Sequence, residues 1–303
     1  MKKSRGLTIG IPAFNEEANI GKLLKYLLAQ RSSGFEIKEI IVSSDASVDR
    51  TVSVIKSFQD RRIIVIDNKG ERQGIARGLN QIILKANGDI LVTLDADIRI
   101  EDNEFLLKLI RPILQGKADL TSSAIKELVP NTRFAKILNI SMVLKDVLFK
   151  VFKNGDNVYT CHGLARAYSS KFYRGLNFPV SIGNDMYCYL ACISKGYLYK
   201  YVSESVVWYK LPENFSDHQN QSLRFFVTQK EMEKIFGNEF VKLQTNISPA
   251  VYFKAVLLSL PVLVKNPLDS IVYFFVQLFL RLRPKPDSAR KQAWNIVASS
   301  KKI

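Results

Sequence analysis

The first hundred residues alternate between two apolar periodicities, and this alternation constrains the fold more than any other feature. Residues 7–11 form a short apolar run that ends at Pro12, which predicts a strand, and 19–30 carries apolar residues at helical spacing, which predicts a helix. The pattern repeats, with strands predicted at 39–42, 63–66 and 90–94 and helices at 51–58 and 74–86. Such alternation predicts a Rossmann-like α/β fold, with a mainly parallel sheet, right-handed crossovers and helices on both faces.

Polar side chains follow three of these predicted strands. Asn15-Glu16 follows the first strand, Ser44-Asp45 the second and Asp95-Ala96-Asp97 the fourth. Ligands of open parallel sheets bind beyond the carboxyl ends of the strands. We therefore expect the three clusters to converge on one binding site.

The second half of the chain is less regular. Its predicted elements are a helix at 104–114, a strand at 120–125, a helix at 132–152, a strand-like segment at 158–168, a helix at 185–194 and a strand at 197–202. We expect this half to complete the same domain.

Two apolar segments, 248–264 and 268–280, mark the C-terminal region. Each falls short of the roughly 20 apolar residues that a spanning helix needs, so a re-entrant or in-plane helical hairpin is expected. The flanking basic residues suit an anionic cytoplasmic leaflet; they are Lys265, Arg281, Arg283, Lys285, Arg290 and Lys291. The alternative is a buried helical pair that closes over the core.

The composition narrows the possible partners without selecting one. A formal net charge of +16 indicates a polyanionic neighbour, which could be nucleic acid, anionic lipid or a phosphorylated substrate. Cys161, Cys188 and Cys192 have no paired metal-type spacing and are expected to be reduced thiols of a cytoplasmic protein. The N-terminal segment lacks the apolar region of a signal peptide, so secretion is not expected.

Asp95-Ala96-Asp97 carries two carboxylates at the end of a predicted strand. Hard cations such as Mg²⁺ and Mn²⁺ prefer oxygen ligands, and they often take one or two protein carboxylates together with substrate phosphates. Acidic residues at strand ends also cap helices, so the triplet alone is weak evidence for a metal site.

Four ordered motifs, including this triplet, resemble glycosyltransferase family 2. They are residues 11–16 (Ile-Pro-Ala-Phe-Asn-Glu), residues 44–51 (Ser-Asp-Ala-Ser-Val-Asp-Arg-Thr), Gly74 with Asn80, and residues 88–97, which begin Gly-Asp and end Asp-Ala-Asp. The resemblance implies a GT-A fold, an inverting transfer from a UDP- or GDP-sugar, and a divalent cation, Mn²⁺ or Mg²⁺, on Asp95 and Asp97. It also implies a nucleotide-sugar-binding half at 1–100 and an acceptor-binding half at 101–235. The two apolar segments add an expected membrane-associating region at 236–303.

The resemblance assigns donor contacts residue by residue. Those implied are Pro12, Phe14, Glu16, Asp45, Gly74, Asp95, Ala96 and Asp97. The alternative for Asn15-Glu16 is a helix start. This chain has Ser44, Ala46 and Ile75 where the family often has Asp, Gly and Lys, so the diphosphate contacts are expected to shift to Arg72 or Arg77. An exposed helix face is the alternative for both arginines.

The acceptor half carries two further resemblances. Residues 181–186 resemble the acidic motif in which one Asp is the catalytic base, which implies Asp185 as the base, and an N-cap is the alternative. The implied acceptor contacts are His162, Gly163, Asn184, Gln221, Arg224 and Phe225. Gln221 to Phe225 resembles a Gln-x-x-Arg-Trp motif with Phe in place of Trp, and a buried amphipathic helix is the alternative there. His218 is a weaker expectation, as a further metal or phosphate contact.

Together these features predict a metal-dependent glycosyltransferase on the cytoplasmic face of the membrane. Its expected acceptor is lipid-linked or an envelope glycan. A nucleotidyltransferase is the enzymatic alternative, but residues 12–16 replace the Gly-rich phosphate loop that it would need. The basic residues are scattered and no recognition motif is present, so nucleic acid is not expected as a partner.

Overall fold

A seven-stranded sheet is central to the described chain, in a computed structural model that describes residues 4–180, 183–282 and 303. The strands are β1 (Arg5–Ala13), β2 (Phe35–Asp45), β3 (Ile63–Asn68), β4 (Ile90–Leu94), β5 (Leu120–Glu127), β6 (Ala165–Ser169) and β7 (Tyr199–Tyr209). Their order is β3-β2-β1-β4-β6-β5-β7, and all neighbours are parallel except where β6 pairs antiparallel to β4 and β5. The predicted mainly parallel sheet is confirmed.

Helices connect the strands, as the sequence predicted. They are α1 (Ile20–Leu28), α2 (Thr51–Lys56), α3 (Ile75–Lys85), α4 (Phe105–Leu114), α5 (Arg133–Val151), α6 (Ser170–Tyr173), α7 (Asn184–Ser194), α8 (Phe215–Phe236), α9 (Asn238–Thr245), α10 (Pro249–Lys265) and α11 (Pro267–Leu282).

The apolar residues form a core on each face of the sheet. Leu7, Ile9 and Ile11 of β1 alternate in sequence and pack with α1 and α4 on one face. Ile41 of β2 and Leu91 of β4 pack with α3 and α7 on the opposite face. Both faces of the sheet are therefore covered by helices, as predicted.

A close approach between β1 and α3 brings α3 to the binding edge of the sheet. A Cβ atom on Gly10 would overlap the side chain of Ile82, so only glycine allows the helix to lie this near the strand. The N-terminus of α3, at Gly74, consequently lies beside the ends of β1 and β2.

The strand expected at 158–168 is wrong for its first half, because β6 begins only at Ala165. The Nδ2 atom of Asn157 donates to the carbonyls of Phe149 and Phe152, both at 2.7 Å. The hydroxyl of Thr160 donates to the carbonyl of Asn157 at 2.8 Å. These local side-chain bonds favour a turn over a strand in this apolar stretch.

The C-terminal helices α10 and α11 both pack against α5, and they leave many large apolar side chains exposed. Phe253 is 67% exposed, Phe274 is 63% exposed and Phe275 is 62% exposed. The alternative of a buried pair is therefore wrong. Within the described residues, Asn238–Lys265 is long and apolar enough to cross a membrane by length and composition. An 18-residue stretch of it has a mean hydropathy of 1.8, and 17% of that stretch is buried. That stretch contains the break between α9 and α10.

Candidate active site

A pocket of about 310 Å³ opens at the carboxyl ends of β1, β2 and β4. Its lining includes Glu16, Asp45, Asp95 and Asp97, so the three polar clusters do converge on one edge of the sheet. We call this space the donor pocket. The remaining lining residues are Pro12, Ala13, Phe14, Ser43, Arg72, Gly74, Ile75, Gly78, Ala96, Leu164, Tyr209, Lys210, Gln221 and Arg224.

Asp45 organises the wall between β2 and α3. Its two carboxylate oxygens accept hydrogen bonds from the backbone N–H groups of Gln73 and Gly74, at 2.9 and 2.8 Å. Arg72 lies beside it, with Nε 3.6 Å from the carboxylate and its guanidinium carbon 4.4 Å from the ring centroid of Phe14. The backbone bonds leave further lone pairs of Asp45 for a ligand.

The first two motifs hold each other in place. Asn15 has a φ of 53°, and its side chain accepts a hydrogen bond from the N–H of Val48 at 2.9 Å. The N–H of Glu16 donates to the hydroxyl of Thr51 at 2.7 Å. The backbone carbonyl of Glu16 also accepts from Ile20 at 2.9 Å, so the segment starts α1 as well as lining the pocket.

Asp95 and Asp97 bring two carboxyl groups together in a partly dehydrated position. Burial, followed by the charge of Asp97, raises the pKa of Asp95 well above its ordinary range, and Asp185 and Glu16 act in the same direction. No group of three or more metal-ligating side chains occurs among the described residues. Two carboxylates that repel each other nevertheless suit a divalent cation that takes its other ligands from a diphosphate.

Arg72, in the loop before α3, and Arg224, on α8, both line the donor pocket. Burial, and then the positive charge of Arg72, lowers the pKa of Arg224. Arg77 is exposed on α3 and does not line the pocket, so the structure leaves it on an exposed helix face. Gln221 lines the pocket, whereas the side chain of Phe225 lies outside the described residues.

Gln221 and Arg224, expected as acceptor contacts, line the donor pocket instead, and the proposed base and three other expected acceptor residues form a second group. Asp185 lies in the first turn of α7, and its charge acts on both Asp95 and His162. Burial lowers the pKa of His162 to about 4, against the opposing effect of Asp185. A Cβ atom on Gly163 would lie 3.7 Å from Oδ1 of Asn184. His162, Gly163, Asn184 and Asp185 are thus neighbours, although none of them lines the donor pocket.

Sequence reasoning missed Arg166, which is 1% exposed within β6. Its guanidinium donates to the Asn184 carbonyl at 3.1 Å and to Asn184 Oδ1 at 2.7 Å, and so it fixes the start of α7. An arginine between two alanines in an apolar strand was the available signal. The sequence analysis also did not single out Tyr209 and Lys210, which both line the donor pocket.

The fold is that of a GT-A glycosyltransferase. The sequence profile of Glycosyl transferase family 2 matches residues 8–174, more than half of the chain. The chain therefore belongs to glycosyl transferase family 2, which confirms the expected class of enzyme.

Two curated relatives match about a third of the chain. The undecaprenyl-phosphate 4-deoxy-4-formamido-L-arabinose transferase of Edwardsiella ictaluri is 30% identical over 99 residues, 31% of this chain and 29% of that protein. The poly-beta-1,6-N-acetyl-D-glucosamine synthase of Staphylococcus aureus is 32% identical over 98 residues, 32% of this chain and 23% of that protein. The matched segments thus cover less than a third of either relative.

Two solved structures resemble most of the chain. A mannosyltransferase from Pyrobaculum calidifontis, in complex with GDP-Man and Mn²⁺, has a TM-score of 0.63 at 16% identity and covers 96% of this chain and 84% of its own. The glucosyl-3-phosphoglycerate synthase of Mycobacterium tuberculosis, with Mn²⁺, UDP and phosphoglyceric acid, has a TM-score of 0.55 at 18% identity, covering 76% and 78%. At these identities the likeness concerns the fold.

Proposed function

We propose that this chain is an inverting, metal-dependent glycosyltransferase that moves a sugar from a UDP- or GDP-sugar to a lipid-linked or envelope-glycan acceptor. One observation carries the proposal: the donor pocket joins the carboxylate pair Asp95 and Asp97 with the paired cations Arg72 and Arg224. In a nucleoside diphosphate sugar with its divalent cation, the cation complements the two carboxylates and the diphosphate complements the two arginines.

Different residues of the donor pocket bind different parts of the donor. Phe14 offers a ring face to the base, while Glu16 and Asp45 offer carboxylate oxygens to base N–H and ribose hydroxyl groups. Arg72 and Arg224 bind the diphosphate oxygens, and the peptide at Gly74 lets the phosphates approach the backbone.

Asp95 and Asp97 would hold the divalent cation, Mn²⁺ or Mg²⁺. When bound, such an ion supplies charge that offsets the negative charge developing on the diphosphate leaving group. The solved structures similar in fold were obtained with Mn²⁺ and a nucleotide or nucleotide sugar, which supports the same requirement here.

Asp185 acts as the general base. Its carboxylate takes the proton of the acceptor hydroxyl as the oxygen attacks the anomeric carbon opposite the leaving diphosphate, which inverts the anomeric configuration. Asn184, held by Arg166, positions this first turn of α7. His162 stays neutral at pH 7 and, with Gly163 beside it, leaves room for an uncharged sugar hydroxyl.

We also propose the division by role that the sequence suggested, with one change. Residues 1–100 supply most of the contacts to the nucleotide sugar, 101–235 bind the acceptor and supply Arg224 to the diphosphate, and 236–303 attach the enzyme to the cytoplasmic face of the membrane. The exposed apolar side chains of α10 and α11 support this attachment, since monomeric soluble proteins rarely expose such large contiguous patches. The names of the bacterial relatives, one an undecaprenyl-phosphate transferase and one a polysaccharide synthase, support the acceptor class.

Binding of nucleotide sugars tests the proposal. In a screen by thermal shift, one UDP- or GDP-sugar should stabilise the protein only with Mn²⁺ or Mg²⁺ present. Asp97→Asn should abolish this metal-dependent stabilisation, because one of the two carboxylate ligands is lost. Glu101→Gln, on an exposed acidic side chain nearby, is the matched control and should behave as wild type. Equal stabilisation of wild type and Asp97→Asn would contradict the metal assignment.

A further inference from the structure

Asn80 belongs to the third of the four motifs, which begins at Gly74, and it lies on α3 outside the lining of the donor pocket. Its side-chain amide is bonded twice to the backbone of Phe178, 98 positions away along the chain. The Nδ2 atom of Asn80 donates to the Phe178 carbonyl at 2.9 Å, and its Oδ1 atom accepts from the Phe178 N–H at 2.8 Å. These two bonds fix both the position and the orientation of the Phe178 backbone relative to α3.

The backbone of Phe178 needs such a partner. Phe178 is 3% exposed, and it precedes Pro179, which favours extended conformations of Phe178. Buried backbone N–H and C=O groups are normally paired, and an asparagine amide can pair with one of each. The contact therefore has a structural role by itself. Whether it also serves the reaction depends on what α3 and the Phe178 ring contact.

The helix α3 forms one wall of the donor pocket. Gly74, Ile75 and Gly78, at the start of this helix, line the pocket. A Cβ atom on Gly78 would lie only 3.4 Å from the Cβ atom of Pro12, so α3 packs tightly against the end of β1. The helix that lines the donor pocket therefore also holds Phe178.

The ring of Phe178 lies against residues at the start of α7. Its centroid lies 5.9 Å from the guanidinium carbon of Arg166 and 5.8 Å from the ring centroid of Tyr187 on α7. Arg166 in turn donates hydrogen bonds to the carbonyl and Oδ1 atoms of Asn184, the first residue of α7. Asp185, the proposed base, is the next residue. A continuous series of contacts therefore leads from α3 to the residue that precedes Asp185.

We propose that Asn80 is a positioning residue for the transfer. By holding Phe178 between α3 and α7, it fixes Asp185 relative to a donor bound at the start of α3. A general base must lie within hydrogen-bond reach of the acceptor hydroxyl, and a displacement of about 1 Å can lower the rate about 100-fold. The inference rests on the proposed function and adds a residue that acts through Phe178 and Asp185 rather than by contact with a substrate.

The Asn80→Ala variant of the full-length protein tests this role, because it removes both hydrogen bonds to Phe178. The turnover number for sugar transfer should fall at least about tenfold, while metal-dependent binding of the nucleotide sugar stays within about twofold of wild type. Asn87→Ala removes an exposed asparagine just after α3, and it should leave both quantities within about twofold of wild type. Unchanged turnover in Asn80→Ala would overturn the inference.

A double-mutant cycle with Asp185→Asn shows whether Asn80 acts through the base. In the Asp185→Asn background the base is already lost, so Asn80→Ala should lower the residual rate by less than about twofold. A general structural defect would instead lower the rate by the same factor in both backgrounds. Equal factors in the two backgrounds would therefore overturn the inference.

Asn80→Asp is the second variant, for the case that Asn80→Ala no longer binds the nucleotide sugar. Its carboxylate still accepts from the Phe178 N–H but cannot donate to the Phe178 carbonyl. Turnover should fall at least about threefold with donor binding unchanged. Turnover equal to that of wild type would overturn the inference. Loss of donor binding in both variants would show that Asn80 maintains the fold as a whole, which would also overturn it.

Hydrogen exchange at the Tyr187 N–H separates this inference from the proposed function, because it needs no reaction. This N–H donates to the Gly183 carbonyl at 2.9 Å in the first turn of α7. It should exchange at least about threefold faster in Asn80→Ala than in wild type, and at the wild-type rate in Asn87→Ala. Unchanged exchange in Asn80→Ala, with a wild type that transfers sugar, sinks the inference alone. Faster exchange, with a wild type that neither binds a nucleotide sugar nor transfers sugar, sinks the proposed function alone.

Discussion

At the scale of single residues, Asp185 carries the proposed chemistry. It lies in the first turn of α7, near Asp95 and His162, and accepts a hydrogen bond from the N–H of Met186 at 2.8 Å. A residue at the start of a helix can accept such a bond for purely structural reasons. Kinetic measurements are therefore needed to distinguish a catalytic role of Asp185 from a structural one.

Asp185→Asn should lower the rate of transfer about 100-fold or more, since an amide cannot take the acceptor proton. Binding of the nucleotide sugar should remain within about twofold of wild type, because Asp185 does not line the donor pocket. Glu239→Gln, an exposed first-turn carboxylate on α9, provides the control and should leave both quantities unchanged. Normal turnover in Asp185→Asn would show that the base lies elsewhere.

The two histidines predict how stability depends on pH. Burial lowers the pKa of both His162 and His218 from 6.5 to about 4 in the folded state. Between these two pKa values the unfolded chain binds more protons than the folded protein. The stability that comes from keeping each histidine neutral is therefore complete above pH 6.5 and is lost as the pH falls towards 4. For each histidine, this loss lowers the free energy of unfolding by up to about 3 kcal/mol.

Urea denaturation at pH 7 and at pH 4.5 measures this dependence. The free energy of unfolding should fall with pH in wild type, and it should fall less in a His162→Gln, His218→Gln double variant. Carboxylates also titrate in this range, so the difference between the two proteins is the informative quantity. Parallel pH profiles would contradict the assigned pKa values.

At the scale of elements, the contact between α7 and α8 ties the proposed base to the pocket wall. Gly183 immediately precedes α7, and a Cβ atom there would overlap the Cγ2 atom of Thr228 on α8. Thr228 is buried and follows Arg224 by one helical turn. Asp185, the proposed base, and Arg224, the proposed diphosphate contact, are thus positioned by the same packing.

Gly183→Ala should destabilise the protein by about 1–3 kcal/mol and lower turnover, because the added methyl group pushes α7 and α8 apart. Thr228→Ala in the same chain should restore most of both losses by removing the two closest atoms, Cγ2 and Oγ1 of Thr228. Gly175→Ala meets no close neighbour and should be nearly neutral. Additive effects of Gly183→Ala and Thr228→Ala in thermal unfolding and transfer assays would rule out this coupling.

At the scale of the whole molecule, one face of the enzyme is apolar. The side chains of Phe253, Phe274 and Phe275 are each more than 60% exposed on α10 and α11. The same two helices pack on α5. If the proposed membrane attachment holds, it uses this side of the protein.

Replacing Phe253, Phe274 and Phe275 with Ser should weaken flotation with anionic vesicles by at least about tenfold, since each ring would otherwise be removed from water. Leu84→Ser changes an apolar residue of 85% exposure on α3 and serves as the control. Donor binding should be unchanged in both. Vesicle binding that survives the triple substitution would show that α10 and α11 do not form the attachment surface.

The sequence by itself determined the alternation of strands and helices and the polar residues that follow the strands. Both depend on the local order of apolar and polar residues along the chain. β1 to β4, with their connecting helices, and the convergence of Glu16, Asp45 and the Asp95–Asp97 pair could all be predicted. The resemblance of four motifs to the family also depended on local order alone.

Only the tertiary structure decided which distant residues meet. The antiparallel insertion of β6 brings Arg166 to Asn184, and α8 brings Arg224 into the same pocket as Arg72, although neither pair is close in sequence. Arg72 and Arg77 looked equivalent as diphosphate contacts, yet the rotation of α3 exposes Arg77, and Arg72 in the preceding loop lines the pocket. Long-range packing sets helix rotation and strand direction, and no local pattern in the sequence encodes them.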